Sequence, residues 1–198
     1  QDIIDFLPDA TFVIDEEKRV TEWNRAIEEM TNVRKEEILG KGDYAYGEPF
    51  YKFNRPILID LIFSSDEEVT SLYTNVRRKG HTVCGESKAL HPIKNEVTWL
   101  WGTASPLFDK DGNIVGAIES IRDITELKRA EMALRKSEEK FRTLFENAGD
   151  PIFISSLDGR MLEANQIACD SLDLSRDELL NMSLEDVEAP EDISTIQD

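Results

Sequence analysis

The hydrophobic period changes several times along the first 125 residues. Ala10–Asp15 is an apolar run of β type, Glu16–Lys18 is a polar turn, and Arg19–Trp23 alternates as a second strand. Asn24 is a good N-cap for a helix over Arg25–Thr31, where Ala26, Ile27 and Met30 share a face. Lys35–Leu39 reads as a short helix stopped by Gly40. Lys41–Arg55 is rich in Gly, Tyr, Phe and Pro and has no clean period. Pro56–Phe63 and Glu67–Lys79 read as helices, the second ending at Gly80. Period two then returns over His81–Leu90, Glu96–Leu107 and Ile114–Ile124, with a hairpin turn at Asp109–Gly112.

From Thr125 the pattern becomes helical. Thr125–Asn147 has no Gly or Pro, and Leu127, Leu134 and Phe141 recur every seventh residue. Ala130, Ser137 and Leu144 fill the second seam, so the stretch is a coiled-coil candidate with Ser137 as its weak layer. After Gly149 the opening motif repeats at an offset of 141 positions without a gap. Asp9, Phe12, Glu22, Asn24 and Leu39 fall on Asp150, Phe153, Glu163, Asn165 and Leu180. A self-match of this length marks a duplicated domain. The second copy reads as strand Ile152–Ser155, a turn at Asp158-Gly159, strand Arg160–Ala164, a helix from Asn165 and a loop with Pro190. It has nothing to match the long strands of the first, so its core cannot close alone. The expected division is 1–125, a connecting helix 126–147, and a half-domain 148–198.

Charge and cysteine use narrow the function. A net charge of −18 over 198 residues argues against a phosphate-backbone reader and against docking on anionic lipid. Cys84 and Cys169 lie in different repeats, so no disulfide framework is expected, and a reducing cytoplasm is the expected compartment. No apolar run is long enough to cross a bilayer. The abrupt start at Gln1 suggests a piece of a longer protein. No phosphate-cradling Gly loop, nucleophile elbow or kinase box is present, so the chain is expected not to be an enzyme itself.

The element order resembles a PAS sensor domain. The Trp23-Asn24 junction, Trp99 through Pro106 with the Asp109–Gly112 hairpin, and the exit Asp123-Ile124-Thr125-Glu126 carry the resemblance. With Ser137–Arg142 downstream, the whole is similar to tandem PAS arrays of prokaryotic sensor histidine kinases. The resemblance implies an α+β fold: a five-stranded antiparallel sheet, helices over one face, and a small cavity between them. It also implies a kinase or other effector elsewhere in the full-length protein.

Strand parity sorts the candidate residues. On the strand after Glu96, Val97, Trp99, Trp101 and Thr103 share one face and Thr98, Leu100, Gly102 and Ala104 the other. Similarity to flavin-binding PAS domains turns Leu100, Gly102 and Ala104 inward, where small residues leave volume for a ligand or a large side chain. The same similarity turns Glu119 inward, where it needs Arg55, Lys88 or a bound amine as partner. A parity shifted by one makes it a surface acid instead. Glu86 is a weaker case of the same kind. Tyr44, Tyr46, Phe50, Tyr51 and Phe53, with Arg55, either wall a planar or anionic ligand or plug the cavity themselves.

The cofactor stays open: a small metabolite or none is expected, and non-covalent flavin is compatible. Flavin photochemistry is disfavoured because Cys84 lacks the Asn-Cys-Arg setting, and haem because Pro56–Lys79 contains no His. His81 and His91 do not make a zinc site. The expected function is a sensory module in which a ligand in the first cavity biases the exit Asp123, Thr125 and Glu126, and through it the 125–147 helix. The alternative is a ligand-free dimerisation scaffold using that helix and the outer Trp99/Trp101 face.

Overall fold

A computed structural model describes residues 3–63, 67–91, 93 and 96–187. The chain forms two compact units, 1–129 and 130–198. The first is built on one antiparallel sheet with strands β1 (Ala10–Asp15), β2 (Val20–Trp23), β3 (Thr74–Lys79), β4 (Thr82–Leu90), β5 (Val97–Phe108) and β6 (Ile114–Asp123). Their order is β2-β1-β6-β5-β4-β3. Helices α1 (Arg25–Thr31), α2 (Lys35–Ile38), α3 (Glu48–Tyr51) and α4 (Glu67–Ser71) lie between β2 and β3, with a 3-10 turn at Leu58–Ile62.

The sheet thus has six strands where five were expected. The helix read over Glu67–Lys79 ends at Ser71, and Thr74–Lys79 pairs with β4 instead. Only Val76 in β3 is even half-buried, so no apolar alternation announces the strand. Its Arg and Lys residues suit an edge, where charge discourages pairing with another chain. Gly80, read as a helix stop, takes φ +59° in the two-residue turn joining β3 to β4. Pro56–Phe63 is likewise not a regular helix. Ile57, Leu58, Ile59, Asp60 and Leu61 are all buried, which leaves no solvent-facing side for an amphipathic helix.

Asn24 joins the first hairpin to helix α1. It is fully buried, and its Oδ1 accepts from Thr11 N at 2.9 Å and Ile27 N at 3.0 Å. Its Nδ2 donates to the carbonyls of Ile4, Leu7 and Asp9. One side chain caps α1, fixes the start of β1 and gathers the preceding segment.

The second unit repeats this device. It contains β7 (Phe153–Ser155), β8 (Met161–Ala164), α6 (Gln166–Leu172), α7 (Arg176–Leu180) and α8 (Leu184–Val187). Asn165 Oδ1 accepts from Ile152 N and Ala168 N, and Nδ2 donates to the carbonyls of Phe145 and Asp150. The core is small: Ala164, Ala168, Cys169 and Leu179, with Phe153, Leu174, Met182 and Val187 against it. The loop with Pro190 lies outside the described residues. Helix α5 (Thr125–Glu146) runs from one unit into the other, and Leu127, Leu134, Phe141 and Leu144 on it are exposed.

Asn24→Ala is expected to lower the unfolding free energy of the first unit by about 2–4 kcal/mol, since a cap is lost and buried backbone groups lose partners. Urea denaturation followed by tryptophan fluorescence reads this out, and a loss under about 1 kcal/mol contradicts the joining role.

Candidate functional site

The inner face of the sheet carries Val83, Gly85, Ser87 and Ala89 from β4, Leu100, Gly102 and Ala104 from β5, and Ala117, Glu119 and Ile121 from β6, all buried. The irregular segment 44–63 covers this face. Tyr46 is fully buried with its ring stacked on Phe12 at 5.3 Å, and Phe50 is buried beside it. Tyr44 stands at the margin, edge-on to Tyr46.

Burying so irregular a segment raises the problem of its backbone donors, since each must find a partner. Ile57 N donates to Asp60 Oδ2 at 2.9 Å, Leu58 N to Tyr73 Oη at 2.9 Å, and Ile59 N to Glu119 Oε2 at 3.0 Å. Asp60 is itself 2% exposed, and its Oδ1 accepts from Tyr46 Oη at 2.9 Å and from Lys18 Nζ at 2.9 Å. Lys18 also lies 5.0 Å from the Tyr44 ring centroid and 5.8 Å from that of Phe63. Burial opposes its charge, but Asp60 outweighs burial and raises the Lys18 pKa. Burial and then the Asp60 charge push the Tyr46 hydroxyl upward, and burial does the same for Tyr73.

Glu119 is fully enclosed and has no cationic partner among the described residues. Its Oε2 accepts from a backbone amide, while Oε1 lies over Gly102 beside a small cavity. Burial pushes its carboxyl up to about 8; the Ile59 N–H pulls the other way, and the Asp60 charge adds to the rise. At neutral pH it therefore carries its proton. The partners expected for it are placed elsewhere. Arg55 stacks its guanidinium 4.7 Å from the Tyr51 ring and 5.6 Å from the Phe53 ring. Lys88 lies on the opposite face, 4.4 Å from the Trp99 ring.

Glu86 also lies on that opposite face, since it pairs in register with Trp101 and salt-bridges Lys128 at 2.9 Å. It does not line the cavity, because β4 turns Gly85 and Ser87 inward and so turns Glu86 out. The cavity holds about 10 Å³, room for about one water. Phe50, Tyr51, Tyr73, Ser87, Gly102 and Glu119 are among its walls. The space expected over the small residues is largely taken: a Cβ on Gly102 would lie 2.8 Å from Leu58 Cδ2. Ala104 is buried on the same face but away from the cavity. A wider groove of about 640 Å³ lies in the second unit, beside Phe141, Arg142, Leu162 and Arg176.

The exit from the sheet is held by Thr125. Its Oγ1 lies 2.6 Å from Thr98 Oγ1 and accepts from Trp99 N at 2.9 Å, while its own N–H donates to Asp123 Oδ1 at 2.8 Å. Ile124 N donates to the Trp99 carbonyl, so β5 grips both sides of the turn into α5. Glu126 is exposed and pairs with Arg129 at 2.8 Å.

A family model described as the PAS fold matches residues 4–129, and a second PAS-fold model matches residues 139–197. The chain belongs to the PAS family. It is 52% identical over 64 residues to sporulation kinase E of Bacillus subtilis (strain 168), which covers 32% of this chain and 9% of that protein. It is 41% identical over 56 residues to the methyl sulfide methyltransferase-associated sensor of Methanosarcina acetivorans, covering 28% of this chain and 6% of that protein. These matches thus span under a tenth of either relative. Among solved structures, a PAS domain from Colwellia psychrerythraea shares 22% identity with a TM-score of 0.43, covering 62% of this chain and 92% of that one.

Within the first PAS unit, sequence reading missed Lys18, Asp60, Tyr73 and Ser87. Asp60 inside the apolar run Ile57–Ile62 was the available signal, since a lone acid there must be bonded. No group of three or more His, Cys, Asp or Glu that could hold a metal occurs among the described residues.

The raised carboxyl gives a pH test. An unfolded Glu119 ionises near 4.5, while the folded one keeps its proton to about 8. Unfolding then releases a proton between these values, so this residue makes the PAS unit less stable as pH rises across that window, by up to about 1.4 kcal/mol per pH unit. Glu119→Gln is expected to flatten that decline. Melting temperatures of both proteins across the window check it, and parallel curves would refute the buried neutral acid.

Proposed function

We propose that this chain is a sensory and regulatory module of a signal-transduction protein, in which a small ligand in the first PAS cavity biases the turn into helix α5. The matched relatives, a kinase and a sensor, support the signalling role. The observation that carries the reading is the shared strand: β6 bears Glu119 at the cavity and Asp123 at the exit, four residues apart. Phe50, Tyr51, Leu100, Gly102 and Glu119 would contact the ligand, with Tyr44, Tyr46, Arg55 and Ala104 behind them. Asp123, Thr125 and Glu126 would carry the bias outward. A differential affinity of a few kcal/mol between two arrangements of the exit suffices to shift their populations.

On this reading the exposed Leu127, Leu134, Phe141 and Leu144 of α5 meet a second copy of the chain, and the outer face with Trp99 and Trp101 adds to the dimer. The effector, a kinase by analogy with the matched relative and a histidine kinase by the resemblance of the sequence, would lie outside these residues, and the module would work in the cytoplasm. One observation favours a second reading, a ligand-free dimerisation scaffold: the cavity is nearly filled by the protein's own side chains. An absorption spectrum and mass spectrometry of the extract of freshly purified protein separate the two. A retained flavin or metabolite supports the sensor, and an empty extract from a stable dimer supports the scaffold.

Thr125→Val keeps the shape of the side chain and removes its hydroxyl. It is expected to cost about 1–3 kcal/mol of stability and to uncouple the full-length protein's output from its signal. Output assayed in the full-length variant checks this, and an unchanged response refutes the relay through the exit.

A further inference from the structure

We infer that the first cavity takes a small primary ammonium cation, held by the Glu119 carboxylate. This rests on the ligand-cavity reading above and names the ligand's chemistry. A fully buried carboxyl beside a cavity needs a positive charge if it is to ionise there. Glu119 lines the cavity, with Oε2 engaged by Ile59 N and Oε1 lying against Gly102, itself a wall of that cavity.

Among the described residues, the charged and titratable groups that act on Glu119 are oxygen groups, which suit a cation. The Asp60 carboxylate acts on it from the Leu58–Ile62 turn, and the hydroxyls of Tyr46 and Tyr73 lie close enough to interact with it. Ser87 Oγ and Tyr51 Oη, 3.2 Å apart, line the cavity from β4 and α3 and can accept hydrogen bonds. The cations nearby are committed elsewhere. Lys18 pairs with Asp60, Arg55 stacks on Tyr51 and Phe53, and Lys88 lies across the sheet. Among the described residues no cation lines the cavity.

Size and lining select further. A cavity of about 10 Å³ fits a particle the size of water, as ammonium is. Leu100, Ile121 and Phe50 in its wall give no oxygen shell for a metal ion but suit a short alkyl group. Ammonium fits the cavity as it stands, and methylammonium or a longer amine enters by displacing Tyr51, which is half-buried and held by the bond to Ser87 and the Arg55 stack. Binding converts the Glu119 acid to its carboxylate, and the proton leaves to solvent, one for each cation bound. The apparent affinity therefore rises with pH until the acid is ionised without ligand, near 8.

Calorimetric titration of the 198-residue chain with methylammonium chloride, in two buffers of different ionisation enthalpy, tests this. Sodium chloride and tetramethylammonium chloride serve as matched controls. The expected results are release of about one proton per cation and an affinity that rises about tenfold per pH unit up to about pH 8. Ammonium should behave alike, the controls should not bind, and Glu119→Gln should abolish the heat. Ser87→Ala keeps the acid and should weaken binding several-fold with proton release intact. Binding without proton release, binding unaffected by Glu119→Gln in a folded variant, or no methylammonium binding overturns the inference. Should a neutral or anionic molecule instead be found in the extract and bind the cavity, the sensor reading survives and the ammonium assignment falls.

Discussion

Three consecutive backbone N–H groups, at Ile57, Leu58 and Ile59, are buried against the sheet where no strand or regular helix can pair them. An unmet buried donor costs about 1–3 kcal/mol, so the segment could not rest there without partners. Each donor is answered by a different side chain: Asp60 from the same turn, Tyr73 from the approach to β3, and Glu119 from β6. The acceptors then create obligations of their own. Asp60 recruits Tyr46 and Lys18, and Lys18 in turn draws Tyr44 and Phe63 around its ammonium. Much of the interior of the first PAS unit is dictated by satisfying one irregular stretch of backbone.

That arrangement makes the interior stiff on one side and adjustable on the other. The Leu58–Ile62 turn is pinned at its start by three bonds to its backbone, whereas Tyr51 is held through its side chain alone, by its hydroxyl to Ser87 and Tyr73 and by an outer stacking contact. Movement at the cavity is therefore directed toward α3, not toward the pinned turn. The exit is also adjustable in one sense: Thr125 holds the turn into α5 through a hydroxyl shared with Thr98, a contact that can change geometry without unfolding a strand.

Much of the fold was readable because it rests on local rules. The first hairpin, the Asn24 and Asn165 caps, the long strands and helix α5 each leave a period, a cap or a turn residue in the sequence. Strand β3 does not, since an exposed, charged edge strand needs no apolar alternation, and its Thr-Asn-Val-Arg-Arg-Lys reads as readily as a helix tail. The inward turn of Glu119 was legible by parity and resemblance, but its partner was not. The bond is not to a cation but to a backbone amide sixty positions away, a group that every residue but proline carries. Glu86 was misplaced because it sits one residue off the buried parity of β4 while still being largely covered, by Lys128.

The position of β1 has a consequence for how the chain is made. It is an inner strand, flanked by β2 and by β6, and Thr11 meets Ser120 109 positions later. Pairing across such a separation carries a large loop-closure entropy and slows folding. During synthesis at about 5–20 residues per second, the apolar edge of β1 stands uncovered for several seconds before β6 leaves the ribosome. The Asn24 cap matters most in that interval, because it can fold the hairpin and α1 together from neighbouring residues alone. Until the last strand closes the sheet, the nascent chain carries an open apolar strand beside a prefolded corner, the kind of exposed surface that favours misassociation.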